Sequence, residues 1–278
     1  MNRKKVCNVN KQIQAVIFDW AGTTIDYGCF APVQVFIAIF RKRNVEITND
    51  EAREPMGLLK IDHIRAILSM ERVHQTWVEA HGEAPGEEDI QELYHDFEKM
   101  LFRILDEFAQ PIPGVIDVVN TLKDSGIKIG STTGYTSDMI DIISKEAKKQ
   151  GYVPDAVVTS SDVPAGRPAP WMCYQNAMKL NVYPLSQMVK AGDTASDMEE
   201  GRNAGMWTVG IVKGSSTLGF LQEEIEEMDK ALLHTRIEDA KQTLFDSGAH
   251  FVIEEIHELP SLIQTMNQMM NKEESFHV

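Results

Sequence analysis

The sequence predicts an α/β fold in which a doubly wound parallel sheet carries an inserted helical cap domain. Six runs of apolar or β-branched residues have the length of buried strands, and helical patterns lie between most of them. Strands that alternate with helices form parallel sheets covered by helices on both faces. One long all-helical interval interrupts this alternation. The predicted strands span residues 13–18, 127–131, 156–159, 188–192, 207–212 and 249–253.

Apolar periodicity predicts three connecting helices, over residues 114–125, 137–150 and 169–180. The second of these has the most complete start and stop signals. Ser137 is its predicted N-cap, and Gly151 follows lysines whose charge complements the helix dipole at the C-terminal end.

The interval between the first and second predicted strands is all-helical. Apolar residues recur there at helical spacing in two separate segments, each of which would form one apolar helix face. The first set is Val33, Phe36, Ile37 and Phe40, and the second is Ile90, Leu93, Phe97, Leu101 and Ile104. Because the interval begins close to Asp19, we interpret it as a cap over a site at that residue. A helical bundle without a catalytic role is the alternative. The predicted domains are a core of residues 1–26 and 111–278 and a cap of residues 27–110.

The composition restricts the partners and the compartment. The chain has 278 residues and a formal net charge of −15, which argues against nucleic acid or an anionic membrane because both favour basic patches. An acidic protein that binds an anionic substrate needs a local positive centre, so we expect a divalent metal ion. Cys7, Cys29 and Cys173 are widely spaced and predict neither a disulfide framework nor a zinc site. With no signal peptide or membrane-spanning run recognisable in the sequence, we expect a cytoplasmic protein.

Polar residues follow four of the predicted strands. Asp19 ends the first strand, and Thr133, Arg167 and the pair Asp193 and Asp197 follow the next three. Because the carboxyl ends of parallel strands meet at one edge of the sheet, we expect these residues to form one site. A carboxylate there can attack phosphorus, a hydroxyl and an arginine can bind phosphoryl oxygens, and carboxylate oxygens are the ligands that Mg²⁺ prefers. Taken singly, each of these residues is more simply a helix cap or a surface turn.

The order of these residues resembles the motifs of the haloacid dehalogenase superfamily, whose first motif is usually Asp-x-Asp-x-Thr. Here the segment is Asp-Trp-Ala-Gly-Thr-Thr, with Ala21 in place of the second aspartate. Phosphatases and mutases of the superfamily use that aspartate to protonate an alkoxide leaving group, which alanine cannot do. Either the chain is inactive or its leaving group needs no proton from position 21. A carbon leaving group meets the second condition if its negative charge is delocalised.

The cap supplies a residue for that delocalisation. Met56, Lys60 and His63 have the spacing of one helical face. A lysine amine can form a Schiff base with an aldehyde, and the iminium then accepts electrons as a C–P bond breaks. Apolar neighbours and burial would lower the pKa of the amine for that role. Without the core motifs, Lys-x-x-His would be interpreted as a solvated helix face.

With these features the chain resembles the phosphonatase branch of the superfamily, over nearly its whole length. Its most specific segments are Pro-Met-Gly-Leu-Leu-Lys-Ile-Asp-His, Gly-Ser-Thr-Thr-Gly-Tyr and Gly-Asp-Thr-x-x-Asp-Met. The resemblance implies a hydrolase that converts phosphonoacetaldehyde to acetaldehyde and phosphate, in the breakdown of 2-aminoethylphosphonate. It implies a Schiff base on Lys60, an aspartyl phosphate on Asp19, and Mg²⁺ held by Asp19, the carbonyl of Ala21 and Asp193.

The resemblance also implies supporting residues and an assembly. Thr133 and Arg167 would bind the phosphoryl oxygens, and Gly57 is a further implied supporting residue. His63, Cys29 and Tyr135 would relay protons for the imine chemistry, with Met56 packed near the enamine. Asp197, one helical turn after Asp193, would coordinate the metal ion through water or orient the other ligands. Cys29 is equally well explained as a small buried hydrophobe and Tyr135 as a core aromatic residue. Members of the family pair through their caps, so a homodimer is expected.

Two other functions remain open from the sequence. A phosphatase acting on small phosphate esters would share the core motifs, but it needs an acid at position 21 and has no use for Lys60. A catalytically silent binding module would tolerate Ala21, but it would leave the retention of Asp19, Arg167 and Asp193 together unexplained. A nucleotide-binding fold is not favoured, because neither a GxGxxG motif nor a P-loop follows a predicted strand.

Overall fold

The computed structural model describes residues 11–274 and contains one parallel sheet of six strands in the order β3-β2-β1-β4-β5-β6. Cys7 and the basic N-terminus lie outside the described residues. The strands are β1 (Ala15–Phe18), β2 (Lys128–Thr133), β3 (Ala156–Thr159), β4 (Met188–Gly192), β5 (Trp207–Ile211) and β6 (Phe251–Ile253). All six predicted strands and the doubly wound parallel architecture are therefore confirmed.

The strand order reverses next to β1, which pairs with β2 on one side and with β4 on the other. In open α/β sheets, ligands bind beyond the carboxyl ends of the strands at such a switch point. β1 is buried along its whole length, because its side chains contact helices on both faces of the sheet. The fold therefore places the residues that follow β1, β2 and β4 side by side.

The interval inserted after β1 holds five helices. They are α1 (Phe30–Lys42), α2 (Asn49–Arg53), α3 (Lys60–Ser69), α4 (Glu71–His81) and α5 (Glu87–Leu101). Their apolar faces pack on one another, with α1 against α5 and α3 against both α4 and α5. Phe36 of α1 stacks on Phe97 of α5 with ring centroids 4.4 Å apart. The apolar face predicted for α1 is thus buried within the chain rather than free for a partner.

The remaining helices cover the sheet. They are α6 (Val115–Asp124), α7 (Ser137–Lys149), α8 (Trp171–Leu180), α9 (Ala195–Ala204), α10 (Gln222–Glu227), α11 (Lys230–Asp246) and α12 (Leu259–Glu274). The prediction that Ser137 caps α7 is wrong by one residue. Thr136 has the extended backbone of a cap and its hydroxyl accepts from the backbone N–H of Met139, whereas Ser137 is already helical.

The two connections that lead into and out of the five helices lie side by side. Ile25 forms a bridge with Pro111, and the N–H of Asp26 donates to the carbonyl of Gln110 at 3.3 Å. The division into core and cap at these connections stays a prediction. None of the helices described is long and apolar enough to cross a membrane.

Candidate active site

A small cavity of about 20 Å³ lies between the carboxyl edge of the sheet and the helices inserted after β1. It brings together most of the residues that the sequence singled out. The lining residues are Asp19, Ala21, Cys29, Met56, Gly57, Lys60, Thr133, Gly134, Tyr135, Arg167 and Thr194. The predicted site residues His63, Asp193 and Asp197 do not line the cavity but are fully buried next to it.

Three buried carboxylates form the base of the site. One oxygen from each of Asp19, Asp193 and Asp197 lies within 4.8 Å of the others. Burial, together with the charges of Asp19 and Asp197, raises the pKa of Asp193 to about 7. Hard oxygen ligands at this spacing suit a divalent cation, which would favour the ionised carboxylates.

Asp193 is held only by neutral donors among the described residues. The hydroxyl of Thr23 donates to Oδ1 at 2.8 Å, and the backbone N–H and hydroxyl of Ser216 donate to Oδ2 at 2.8 and 2.9 Å. The loop after β1 also crosses close to Asp193, since a Cβ on Gly22 would lie 2.5 Å from Oδ2. Asp193 therefore has a fixed orientation and no cationic partner among the described residues, so its charge is available to a metal ion.

Asp197 differs, because protein cations already neutralise it. Its Oδ1 accepts from Lys190 at 2.5 Å and lies 3.0 Å from Nη1 of Arg167, and its Oδ2 accepts from the Thr194 hydroxyl at 2.6 Å. Burial opposes ionisation of Asp197, but Arg167 and Lys190 outweigh burial and lower the pKa to about 2. This geometry fits the expected role of orienting the other ligands better than direct coordination.

Arg167 is surrounded by acceptors on three sides. Its Nη2 donates to Asp19 at 2.6 Å and to the Thr132 hydroxyl at 2.8 Å, and its Nε donates to Glu200 at 3.0 Å. These hydrogen bonds use three of the five guanidinium N–H groups, while Nη1 lies 3.0 Å from Asp197 as an ion pair. Nη1 makes no hydrogen bond within the described residues and can donate to a phosphoryl oxygen. The Thr133 hydroxyl oxygen accepts from the N–H of Tyr135 at 3.1 Å, which leaves its own proton available to the cavity.

Sequence reasoning missed part of this charge network. Lys190 lies inside β4 and Glu200 on α9, both fully buried, and Thr132 lies one residue before the predicted Thr133. A charged residue within an apolar strand was the available signal for Lys190. The sequence carried no such signal for Glu200, because a helical glutamate three residues after Asp197 is ordinarily solvent-exposed.

Lys60 is the buried cation opposite these carboxylates. It is 6% exposed, and its Nζ lies 3.9 Å from the sulfur of Met56 and 5.2 Å from the ring centroid of Tyr135. It takes part in none of the salt bridges within 4.0 Å found in the described chain. Burial lowers the pKa of Lys60, and the charge of Asp19 opposes that shift only in part. The amine is thus shifted toward its neutral, nucleophilic form.

The prediction that Met56, Lys60 and His63 share one helical face is wrong for Met56. α3 begins at Lys60, and Met56 lies in the turn before it, because Gly57 has a φ of +91° that no helix continues through. The contact between Met56 and Lys60 forms nonetheless.

His63 lies behind the site. Its Nε2 is 2.9 Å from the carbonyl of Ala52, and its ring stacks on Phe36 with centroids 4.0 Å apart. Its Nδ1 has no partner among the described residues. Burial and the charge of Lys60 hold the pKa of His63 well below its usual value, so the ring is neutral.

Cys29 and Tyr135 both lie in the cavity wall. Cys29 precedes α1 in a left-handed conformation, with a φ of +54°. Burial, together with the charge of Asp26, raises the pKa of both the Cys29 thiol and the Tyr135 hydroxyl well above their usual values. Both groups are therefore protonated next to Lys60, which allows proton donation but gives no reactive thiolate.

The loop that precedes α3 packs directly onto the core. A Cβ on Gly57 would lie 2.6 Å from the Thr194 hydroxyl, and one on Gly134 would lie 2.8 Å from the carbonyl oxygen of Leu58. A Cβ on Gly166 would lie 2.7 Å from Leu59. These close approaches bring Lys60 over the strand ends that carry Asp19.

Comparisons with known proteins agree with this geometry. The family model described as haloacid dehalogenase-like hydrolase matches residues 13–205. Phosphonoacetaldehyde hydrolase from Bacillus cytotoxicus is 60% identical over 91% of this chain and 96% of its own length. The protein of the same name from Bacillus cereus is 58% identical over 92% and 97%.

A solved structure is similar over nearly the whole fold. It is described as a phosphonoacetaldehyde hydrolase-like protein from Oleispira antarctica, with a TM-score of 0.91, 38% identity and 96% of each chain covered. The chain therefore belongs to the haloacid dehalogenase-like hydrolases, and within them to the phosphonoacetaldehyde hydrolase family.

Proposed function

We propose that this chain hydrolyses the C–P bond of phosphonoacetaldehyde, giving acetaldehyde and phosphate. The observation that carries the proposal is the buried Lys60 amine, which faces Asp19 across a cavity where residue 21 cannot act as an acid. The names of the similar proteins support the same reaction. The aldehyde is the product expected from transamination of 2-aminoethylphosphonate.

The first step takes place at Lys60. Its neutral amine adds to the aldehyde carbon, water leaves, and a C=N bond forms between Nζ and the substrate. The protonated imine places a positive nitrogen two bonds from the carbon that carries phosphorus. It can therefore accept the electron pair of the C–P bond. Burial of Lys60 supports this role because it lowers the pKa of the amine.

The second step takes place at Asp19. Its carboxylate attacks phosphorus, the C–P bond breaks, and the electron pair moves to the iminium to give an enamine and an aspartyl phosphate. The departing carbon needs no proton from residue 21, which is consistent with Ala21. Water then hydrolyses the aspartyl phosphate, while protonation of the enamine carbon and hydrolysis of the imine release acetaldehyde and restore Lys60.

We assign the expected cation as Mg²⁺. Asp19, Asp193 and the carbonyl of Ala21 would hold it, because Asp193 has only neutral donors around it and the carboxylates lie within 4.8 Å. When bound, the cation supplies positive charge that reduces repulsion between the nucleophilic carboxylate and the anionic phosphonate.

The other side chains bind substrate or handle protons in this scheme. Arg167, whose Nη1 makes no hydrogen bond within the described residues, and the Thr133 hydroxyl would bind phosphoryl oxygens. Cys29 and Tyr135 are protonated neighbours of Lys60 and are our candidates for donating protons during imine formation. The relay role expected of His63 stays a prediction, since its ring does not reach the cavity.

The experiment that tests the function compares two substrates in the presence of Mg²⁺. Acetaldehyde and phosphate release from phosphonoacetaldehyde is followed next to phosphate release from an aryl phosphate. Equal release of acetaldehyde and phosphate with a nearly inert ester is the expected result. Turnover of the ester alone would replace the proposal with a phosphatase. Phosphate binding without turnover of either substrate would favour a binding module.

The expected homodimer also stays a prediction. The apolar face of α1 cannot mediate it, because Val33, Phe36 and Phe40 are buried against the chain's own helices. Sedimentation velocity of the purified chain tests it directly, with a dimer as the expected species.

A further inference from the structure

Glu200 is a buried carboxylate that contacts the site only through other residues. It lies on α9 with no solvent exposure, and its Oε2 accepts from Nε of Arg167 at 3.0 Å. The same oxygen lies 3.7 Å from Nζ of Lys190, while Oε1 has no hydrogen-bond partner among the residues described. Burying a carboxylate is costly even when it is paired, so the position of Glu200 next to Arg167 needs an explanation.

Glu200, Thr132 and Arg167 form a closed ring of hydrogen bonds. Nη2 of Arg167 donates to the Thr132 hydroxyl at 2.8 Å, and that hydroxyl donates to Oε2 of Glu200 at 3.1 Å. The ring closes through the bond from Nε of Arg167 to the same Oε2. Because Nε and Nη2 lie on one edge of the planar guanidinium, two fixed acceptors on that edge set both its plane and its rotation.

The orientation set by this ring decides what the guanidinium presents to the reaction. The second N–H of Nη2 meets Asp19 at 2.6 Å, and Nη1 meets Asp197 at 3.0 Å. A rotation of the guanidinium would break the contact with Asp19 and misdirect the N–H groups of Nη1. Phosphoryl binding depends strongly on such alignment, because bidentate recognition by arginine is directional.

We propose that Glu200 is a positioning residue for phosphoryl binding, acting through Arg167. The part of this inference that concerns catalysis rests on the proposed function. The part that concerns phosphate recognition does not. Glu200 does not line the cavity, and it contacts the guanidinium at Nε.

The test uses Glu200→Gln, which keeps the shape and removes the charge, with Glu199→Gln as the matched control. Glu199 is the preceding residue of α9 and is exposed. In Glu200→Gln we expect kcat/KM for phosphonoacetaldehyde, and affinity for inorganic phosphate by calorimetry, each to fall about 10- to 100-fold, the range for charge-assisted hydrogen bonds. Glu199→Gln should match the parent in both measurements.

A double-mutant cycle with Arg167→Lys separates positioning from a structural role. Lysine has no counterpart of Nε–H. In the Arg167→Lys background, Glu200→Gln should therefore lower phosphate affinity by less than about threefold. An equal cost in both backgrounds would mean that Glu200 does not act through Arg167, and unchanged phosphate affinity in the single variant would overturn the proposal outright.

A second variant keeps the test valid if Glu200→Gln does not fold. Thr132→Val removes the hydroxyl that closes the ring and should lower phosphate affinity about tenfold. Phosphate affinity equal to the parent's in this folded variant would also overturn the proposal. If the parent binds phosphate but does not cleave phosphonoacetaldehyde, the proposed function fails. The double-mutant cycle measured by phosphate affinity still decides the role of Glu200.

Discussion

Gly134→Ala tests whether the close contact between Gly134 and the loop that precedes α3 positions Lys60. The backbone of Gly134 is outside the left-handed region, so alanine adds no local strain. Its Cβ would nevertheless lie 2.8 Å from the carbonyl oxygen of Leu58 and 3.2 Å from that of Gly57. Ordinary contacts of a Cβ begin at about 3.4 Å. The loop that precedes α3 must therefore move away from residue 134 by about 0.6 Å.

That displacement reaches Lys60, which follows Leu58 by two residues. A misplacement of 1 Å can cost about 100-fold in rate, so we expect kcat for phosphonoacetaldehyde to fall about tenfold or more. Steady-state kinetics measures the effect, and thermal unfolding checks that the variant is folded. Gly86→Ala is the control, since a Cβ there meets nothing closer than 3.8 Å. A folded Gly134→Ala variant with kcat within twofold of the parent would refute the positioning argument.

Three further predictions concern single residues of the site. Lys60→Met should raise the melting temperature at pH 7, because the folded state depresses the pKa of Lys60 below the unfolded value of 10.5. Between those two pKa values the unfolded parent binds more protons, so its stability should rise with pH toward 10.5. A Lys60→Met gain that does not shrink between pH 7 and pH 10.5 would contradict this. Ala21→Asp should not speed C–P cleavage and should raise aryl phosphate hydrolysis at most weakly; faster phosphonate cleavage would contradict the leaving-group argument. Asp193→Asn should weaken Mg²⁺ binding at least about tenfold in calorimetry, and unchanged affinity would remove Asp193 from the cation site.

The sequence predicted the sheet and the strand-end residues because both follow from short-range rules. A parallel sheet brings the ends of its strands together, so the positions of Asp19, Thr133 and Asp193 follow once the strands are identified. Arg167 joined this group although it follows β3 only after a loop, and its contact with Asp19 depends on tertiary packing. The strand-end residues chosen from the sequence meet in the structure because the strands follow the common doubly wound order.

The features that the sequence missed depend on long-range contacts. Glu200 has no local pattern that marks it as buried, and the position of Lys190 inside an apolar strand does not name its partners; only the packing of α9 on β4 reveals their ion pairs. The helical spacing from Met56 to His63 was misleading for a different reason. Gly57 adopts a positive φ that ends any helix, so periodicity alone placed Met56 on an element it does not share.

The proposed reaction depends above all on the imine at Lys60, which makes carbon a competent leaving group. The most direct test is borohydride reduction in the presence of phosphonoacetaldehyde, followed by mass spectrometry of the peptides. We expect a covalent ethyl or phosphonoethyl adduct on Lys60, no adduct on the buried and ion-paired Lys190, and no adduct or turnover in Lys60→Arg, whose guanidinium stays protonated. An adduct on a different lysine, or parental turnover by the arginine variant, would contradict this expectation.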